Sequence, residues 1–164
     1  MQINTILFDL DGTLIDPWEG IFHSVEYTLQ KMGCPVPQAQ DLLWIIGPPI
    51  RDNMGKLLNT DDPVTINRSI ELFRERFGTL GLYENTLYDG VVEMLSSLKK
   101  QGINTYIATS KPQAYAFRIL ERHGLTHFFN SIYGSEMDGT HSDKVELIAY
   151  ILEKEKFPPQ HALM

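Results

Sequence analysis

Ile6-Leu7-Phe8-Asp9-Leu10-Asp11-Gly12-Thr13-Leu14 is the stretch from which the rest of this chain is best understood. A short apolar run delivers two aspartates, one residue apart, into a glycine turn. Side chains at i and i+2 of a strand project to the same face. Asp9 and Asp11 therefore leave a buried strand together, and nothing in the stretch neutralises them. Neighbouring carboxylates repel and resist desolvation, so they demand a cation or a raised pKa. A fold has no use for that pair, but chemistry does.

Outward from it, residues 3–8 form an apolar strand of the kind buried on both faces in a parallel sheet. Asp16-Pro17-Trp18-Glu19 then starts a helix, with a cap residue, proline at the first helical position and glutamate three after the cap. Ile21, Phe22, Val25, Leu29 and Met32 recur at helical spacing, and Gly33 closes the helix. From there to about Leu82 no strand is expected. Helical pieces near 38–46, 50–58 and 63–80 are divided by proline and glycine turns. After Tyr88-Asp89-Gly90 the texture alternates: helix 91–101, strand Asn104–Thr109, helix Pro112–His123, strand Phe128–Tyr133, and a helix started by Asp143. Alternation of this kind predicts βαβ units and a parallel sheet. The predicted fold is α/β, a Rossmann-like parallel sheet core over 1–15 and 84–164 interrupted by an all-helical insertion over 16–83.

The chain of 164 residues is 43% hydrophobic and 21% charged, the balance of an ordinary globular protein. A net charge of −7 without any basic run argues against nucleic acid or an anionic membrane as partner. Cys34 is alone, so no disulfide framework is expected. No signal pattern or membrane-length apolar run is seen, and the cytoplasm is the expected location.

Ligands of open parallel sheets bind beyond the carboxyl ends of the strands. The first predicted strand ends in Asp9, Asp11 and Thr13, and the second in Thr109-Ser110-Lys111. The third is followed by Gly134-Ser135-Glu136-Met137-Asp138-Gly139, and Lys144 opens the next helix. Carboxylates, hydroxyls and two ammonium groups thus gather at one edge. That set suits phosphoryl transfer: a carboxylate attacks phosphorus while hydroxyls, lysine and a metal hold the equatorial oxygens.

Phe-Asp-Leu-Asp-Gly-Thr-Leu resembles the first signature of the haloacid dehalogenase superfamily, mostly magnesium-dependent phosphatases. Ile107-Ala108-Thr109-Ser110-Lys111 resembles its second, and Lys144 within Ser-Asp-Lys-Val-Glu-Leu-Ile sits where the third places its lysine. The helical insertion resembles the family's small cap. Gly47-Pro48-Pro49, Gly81–Asn85 and Tyr133–Gly139 resemble a 5′-nucleotidase-like branch, with phosphoglycolate phosphatases as close relatives. The resemblance implies Asp9 as nucleophile and Mg²⁺ ligand. Asp11 would be the acid and base and would lend its backbone carbonyl to the metal. Thr109 and Ser110 would bind the phosphoryl group, and Lys144 would pair with Asp9 and phosphate. Arg51 and Trp18, on the insertion, are the candidates to meet substrate, a small phosphorylated metabolite.

The family's fourth signature, an acidic cluster beginning Gly-Asp after a fourth core strand, is not found before Met164. Gln160–Met164 looks like the approach to that strand, so a longer protein is expected. Glu136 and Asp138 follow a strand two positions from the first in family order, roughly 10 Å away. The competing expectations are a phosphomutase and a non-catalytic binding module built on the same core.

Overall fold

The computed structural model describes residues 3–164. In chain order it forms β1 (Thr5–Phe8), β2 (Ile15–Asp16) and α1 (Trp18–Lys31), then a 3₁₀ segment over Ala39–Ile45, α2 (Ile50–Leu58) and α3 (Pro63–Phe77). There follow β3 (Thr86–Leu87), α4 (Val91–Lys100), β4 (Asn104–Pro112) and α5 (Gln113–Arg122), and last β5 (Ser131–Ser135), α6 (Lys144–Glu155) and β6 (Ala162–Leu163). Two compact units divide the chain. One joins the segment up to Asp16 to Leu87–Met164, and the other is Pro17–Thr86.

The first unit is built on a parallel sheet in the order β5-β4-β1-β6. Its central strand β4 buries five successive residues, Thr105 to Thr109, so neither face meets water. On one face Leu7, Tyr106, Ala108 and Tyr133 pack with Leu147 and Ile151 of α6. Strand alternation sends Thr105, Ile107 and Thr109 to the other face, and α4 and α5 also pack on β4. Helices thus cover a sheet whose strand β4 is buried over Thr105 to Thr109.

The second unit is helical. Gly20 of α1 packs so closely on the 3₁₀ turn Gly81–Tyr83 that a Cβ there would lie 2.1 Å from the Gly81 carbonyl oxygen. Arg76 of α3 forks onto both oxygens of Glu84, at 2.8 and 2.9 Å.

Four sequence readings need correction. Helix α1 starts at Trp18 after Pro17, without a side-chain cap, and Asp16, expected to be that cap, belongs to β2. The two-residue strands β2 and β3 pair with each other; they are too short to show periodicity. Helix α3 stops at Phe77, where Gly78 follows. Thr126–Phe128 is a 3₁₀ turn and β5 begins only at Ser131, because the N–H groups of Phe128 and Phe129 go to the Leu125 and Thr126 carbonyls of that turn rather than to a neighbouring strand. The parallel pairing of β6 with β1, Thr5 opposite Ala162 and Ile6 opposite Leu163, agrees with the expected approach to a fourth strand.

Candidate active site

β1 runs in step with β4, from Thr5 opposite Asn104 to Phe8 opposite Ile107. The next residue, Asp9, therefore comes level with Ala108, where the apolar strand ends. Its Oδ1 accepts the Leu10 N–H at 2.7 Å, and its Oδ2 faces Lys144 Nζ at 2.8 Å. The same ammonium donates to the Ala108 carbonyl oxygen at 2.8 Å, tying α6 to the ends of two strands. Lys144 is the first residue of α6, and the Asp143 side chain caps that helix by accepting from the N–H groups of Val145 and Glu146. The cap expected from the sequence is thus the device that places the lysine.

Past Asp9 the chain folds back sharply. The N–H groups of Thr13, Leu14 and Ile15 all converge on the Leu10 carbonyl, at 3.2, 2.9 and 3.2 Å. Gly12 sits at φ +74, in the left-handed region that only glycine adopts cheaply. The turn directs the Asp11 carboxyl inward, where Oδ2 meets Lys111 Nζ at 3.0 Å with side-chain exposures of 12% and 7%. Oδ1 of Asp11 is also buried and has no hydrogen-bond partner. Leaving a buried polar atom unsatisfied costs about 1–3 kcal/mol, a cost that makes sense where a ligand is to meet it. Burial pushes this carboxyl above its ordinary pKa, Lys111 pulls it back only in part, and the Asp9 charge adds to the rise.

A bulge brings Lys111 to this position. Ala108 lies opposite Tyr133 and Pro112 opposite Ser135, so Thr109, Ser110 and Lys111 together face the single residue Gly134. The motif is crowded out of the ladder, and its backbone passes very close to β5. A Cβ on Gly134 would stand 2.5 Å from the Lys111 carbonyl oxygen. Ser135 Oγ donates to the Ser110 carbonyl at 2.9 Å, and the buried Thr109 Oγ1 accepts the Lys111 N–H at 3.3 Å.

The structure therefore gathers Asp9, Asp11 and Lys144 with the Thr109–Lys111 segment. Lys111, quoted in the sequence only as part of its motif, was given no role there. The one available signal was Gly134, a glycine inside a strand pattern, which marks a bulge or a close backbone approach. Glu136 and Asp138 follow β5, two strands from β1, and Asp138 is spent on its own turn, accepting the Thr140 N–H at 2.9 Å. Arg51 and Trp18 belong to the helical unit. Arg51 is exposed and donates to Asn67 Oδ1 at 2.6 Å, and Trp18 stacks on Phe22 at 5.2 Å between ring centres.

Among the described residues no cluster of three or more His, Cys, Asp or Glu side chains is gathered for a metal. The oxygen donors at the site are nonetheless hard. Mg²⁺ in phosphoryl-transfer sites takes one or two carboxylates together with waters and phosphate oxygens. The Asp9 carboxylate would be one of these carboxylates and the Asp11 main-chain carbonyl one further oxygen of such a set.

A profile of the family described as haloacid dehalogenase-like hydrolase matches residues 6–164. A 5′-nucleotidase of Pseudomonas aeruginosa is 42% identical over all of this chain and 74% of its own length. Tyrosine-protein kinase PtkA of Mycobacterium tuberculosis is 31% identical over 97% of the chain and 54% of its own length. The crystal structure of a predicted phosphatase from Clostridium acetobutylicum superposes with a TM-score of 0.95 at 38% identity, covering all of this chain and 76% of that one. The chain thus spans about three quarters of the nucleotidase and about half of the kinase.

Proposed function

The chain belongs to the haloacid dehalogenase-like hydrolase family and is of phosphatase class, and on that premise we propose a Mg²⁺-dependent phosphomonoesterase working through a phosphoaspartate. Its substrate is a small phosphorylated metabolite, with a nucleoside 5′-monophosphate first and phosphoglycolate second. The nucleotidase name of the 42% identical relative supports that order. One observation carries the reading: the 2.8 Å pair between Asp9 and Lys144, residues 135 positions apart, at the carboxyl edge of a parallel sheet.

In this mechanism Asp9 attacks phosphorus. Leu10 N–H and Lys144 hold its two oxygens and so fix the direction of attack. Thr109, Ser110 and Lys144 bind the phosphoryl oxygens. Asp11 gives its proton to the departing alkoxide and later takes one from the water that hydrolyses the acyl-phosphate. A carboxyl raised by burial remains an acid at higher pH than a solvated one, which suits the first of these tasks. Mg²⁺, when bound by the Asp9 carboxylate and the Asp11 carbonyl, supplies charge neutralisation at the phosphoryl group. The choice of leaving group is assigned to the helical unit, with Arg51 and Trp18 as its candidate residues. No described helix is long and apolar enough to cross a membrane.

The test is phosphate release from a panel of phosphate esters with and without Mg²⁺, on the wild-type protein and Asp9→Asn. Mg²⁺-dependent release that disappears in Asp9→Asn is expected. Release retained by that variant rejects the nucleophile, and none from any ester favours a binding module.

A further inference from the structure

Lys111 has the most enclosed ammonium at the site, and neither the mechanism above nor the resemblance gives it work. Its side chain is 7% exposed and its ammonium pairs with Asp11. Burying a lysine is unfavourable unless a specific partner compensates. The backbone that carries it is equally constrained. Three residues of β4 are bulged against Gly134, the Lys111 carbonyl lies where a Gly134 Cβ would be, and Ser135 holds the carbonyl of the preceding residue. Two strands thus cooperate to put one ammonium beside one oxygen of one carboxyl.

We propose that Lys111 is the positioning residue of the Asp11 carboxyl: by engaging Oδ2 it leaves Oδ1 as the oxygen aimed at the leaving group, and Gly134 with Ser135 sets where Lys111 stands. The partnerless state of the buried Oδ1 is what this division of labour leaves behind. The inference rests on the phosphomonoesterase reading for its chemical consequence. In the first step a bond forms between Asp9 and phosphorus while the bond from phosphorus to the ester oxygen breaks. The electron pair stays on that oxygen, which receives the proton from Asp11 Oδ1. Lys111 contributes no atom and no proton; it sets direction.

Kinetics with two leaving groups separate this role from a structural one. A nitrophenolate departs without protonation, whereas the alkoxide of a nucleoside needs an acid. The ratio kcat/KM reports only steps up to leaving-group departure, so it isolates that contrast. For Lys111→Met, kcat/KM for a nucleoside 5′-monophosphate is expected to fall about 100-fold, within the usual worth of a general acid, and that for p-nitrophenyl phosphate less than about tenfold. Lys111→Arg, which keeps the charge, is expected to restore most of the wild-type selectivity between the two esters. In an Asp11→Asn background, Lys111→Met is expected to change that selectivity no further. Equal losses on both esters, or an additive loss in the double variant, overturn the proposal. A crystal structure of the Lys111→Met protein tests placement without activity: the Asp11 carboxyl is expected to turn from its wild-type orientation, and an unmoved carboxyl overturns the idea. Should Asp9→Asn stay active while Asp11 turns, the mechanism falls and the positioning stands. Lys111→Gln carries the same comparisons if the methionine variant does not fold.

Discussion

The two ends of α6 treat a carboxylate in opposite ways. At its first residue Lys144 meets Asp9, beside an Asp11 that keeps one buried oxygen without a partner. About 16 Å along the helix, at 1.5 Å per residue, Glu155 is its last residue. There Tyr106 donates its hydroxyl to Oε2 at 3.2 Å and Tyr133 donates to Oε1. Rings fill in around them: Phe157 lies 5.5 Å from Tyr106, Tyr150 lies 6.0 Å from Tyr133, and the Lys154 ammonium stands 5.2 Å from the Tyr133 ring. One end spends charged donors and still leaves an acceptor unmet; the other occupies both oxygens of its carboxylate with phenols. Spare hydrogen-bonding capacity in a buried place marks the working end, and saturation marks the supporting one.

The contrast breaks most visibly at Asp9. Asp9→Asn is expected to lower kcat by about four orders of magnitude or more, as removal of a nucleophile does, measured as phosphate release. Next comes Gly134→Ala, whose Cβ has no room against the Lys111 carbonyl. It is expected to cost about 3 kcal/mol in urea unfolding, the upper range for overpacking, and to lower activity along with stability because it displaces the Lys111 segment. Glu155→Ala tests the supporting end. Removing the acceptor of two phenols is expected to cost about 2 kcal/mol, while kcat of the folded protein stays within about twofold. A large fall in kcat there would erase the distinction between the ends. Asp143→Ala removes the α6 cap and is expected to cost about 1 kcal/mol, with a raised KM as the Lys144 turn frays.

The smallest effect is a titration. Burial, and then the hydrogen bond to Glu155, push the Tyr133 phenol up to about 12 from an ordinary 10. A group with a raised folded pKa contributes its full stability below the unfolded value and loses it as pH climbs through the folded one. Stability from this phenol is therefore complete below pH 10 and declines toward pH 12. Absorbance of tyrosinate should show Tyr133 ionising late in the folded protein, with Tyr106 also shifted upward, and both ionising earlier in Glu155→Gln.

Much of the working end was legible in the chain because its signals are local. The apolar run into Asp9 and Asp11, the glycine turn at Gly12, and Asp143 with Glu146 ahead of Lys144 each act within a few residues. Alternating elements after residue 88 announced the parallel sheet for the same reason, since periodicity is a local property. Two-residue strands escaped because two residues have no period, and the Asp16 cap was misjudged because β2 claimed that residue.

Sequence alone thus determined that two carboxylates meet a parallel sheet's edge and that a capped helix brings a lysine toward them. Only the tertiary structure decided which ammonium serves which carboxyl. The Lys111–Asp11 pair depends on a bulge, the bulge on the register of β4 against β5, and that register on Gly134, more than twenty residues further along the chain. Pairing across strands is set by contacts between distant segments, and no pattern within either segment records it.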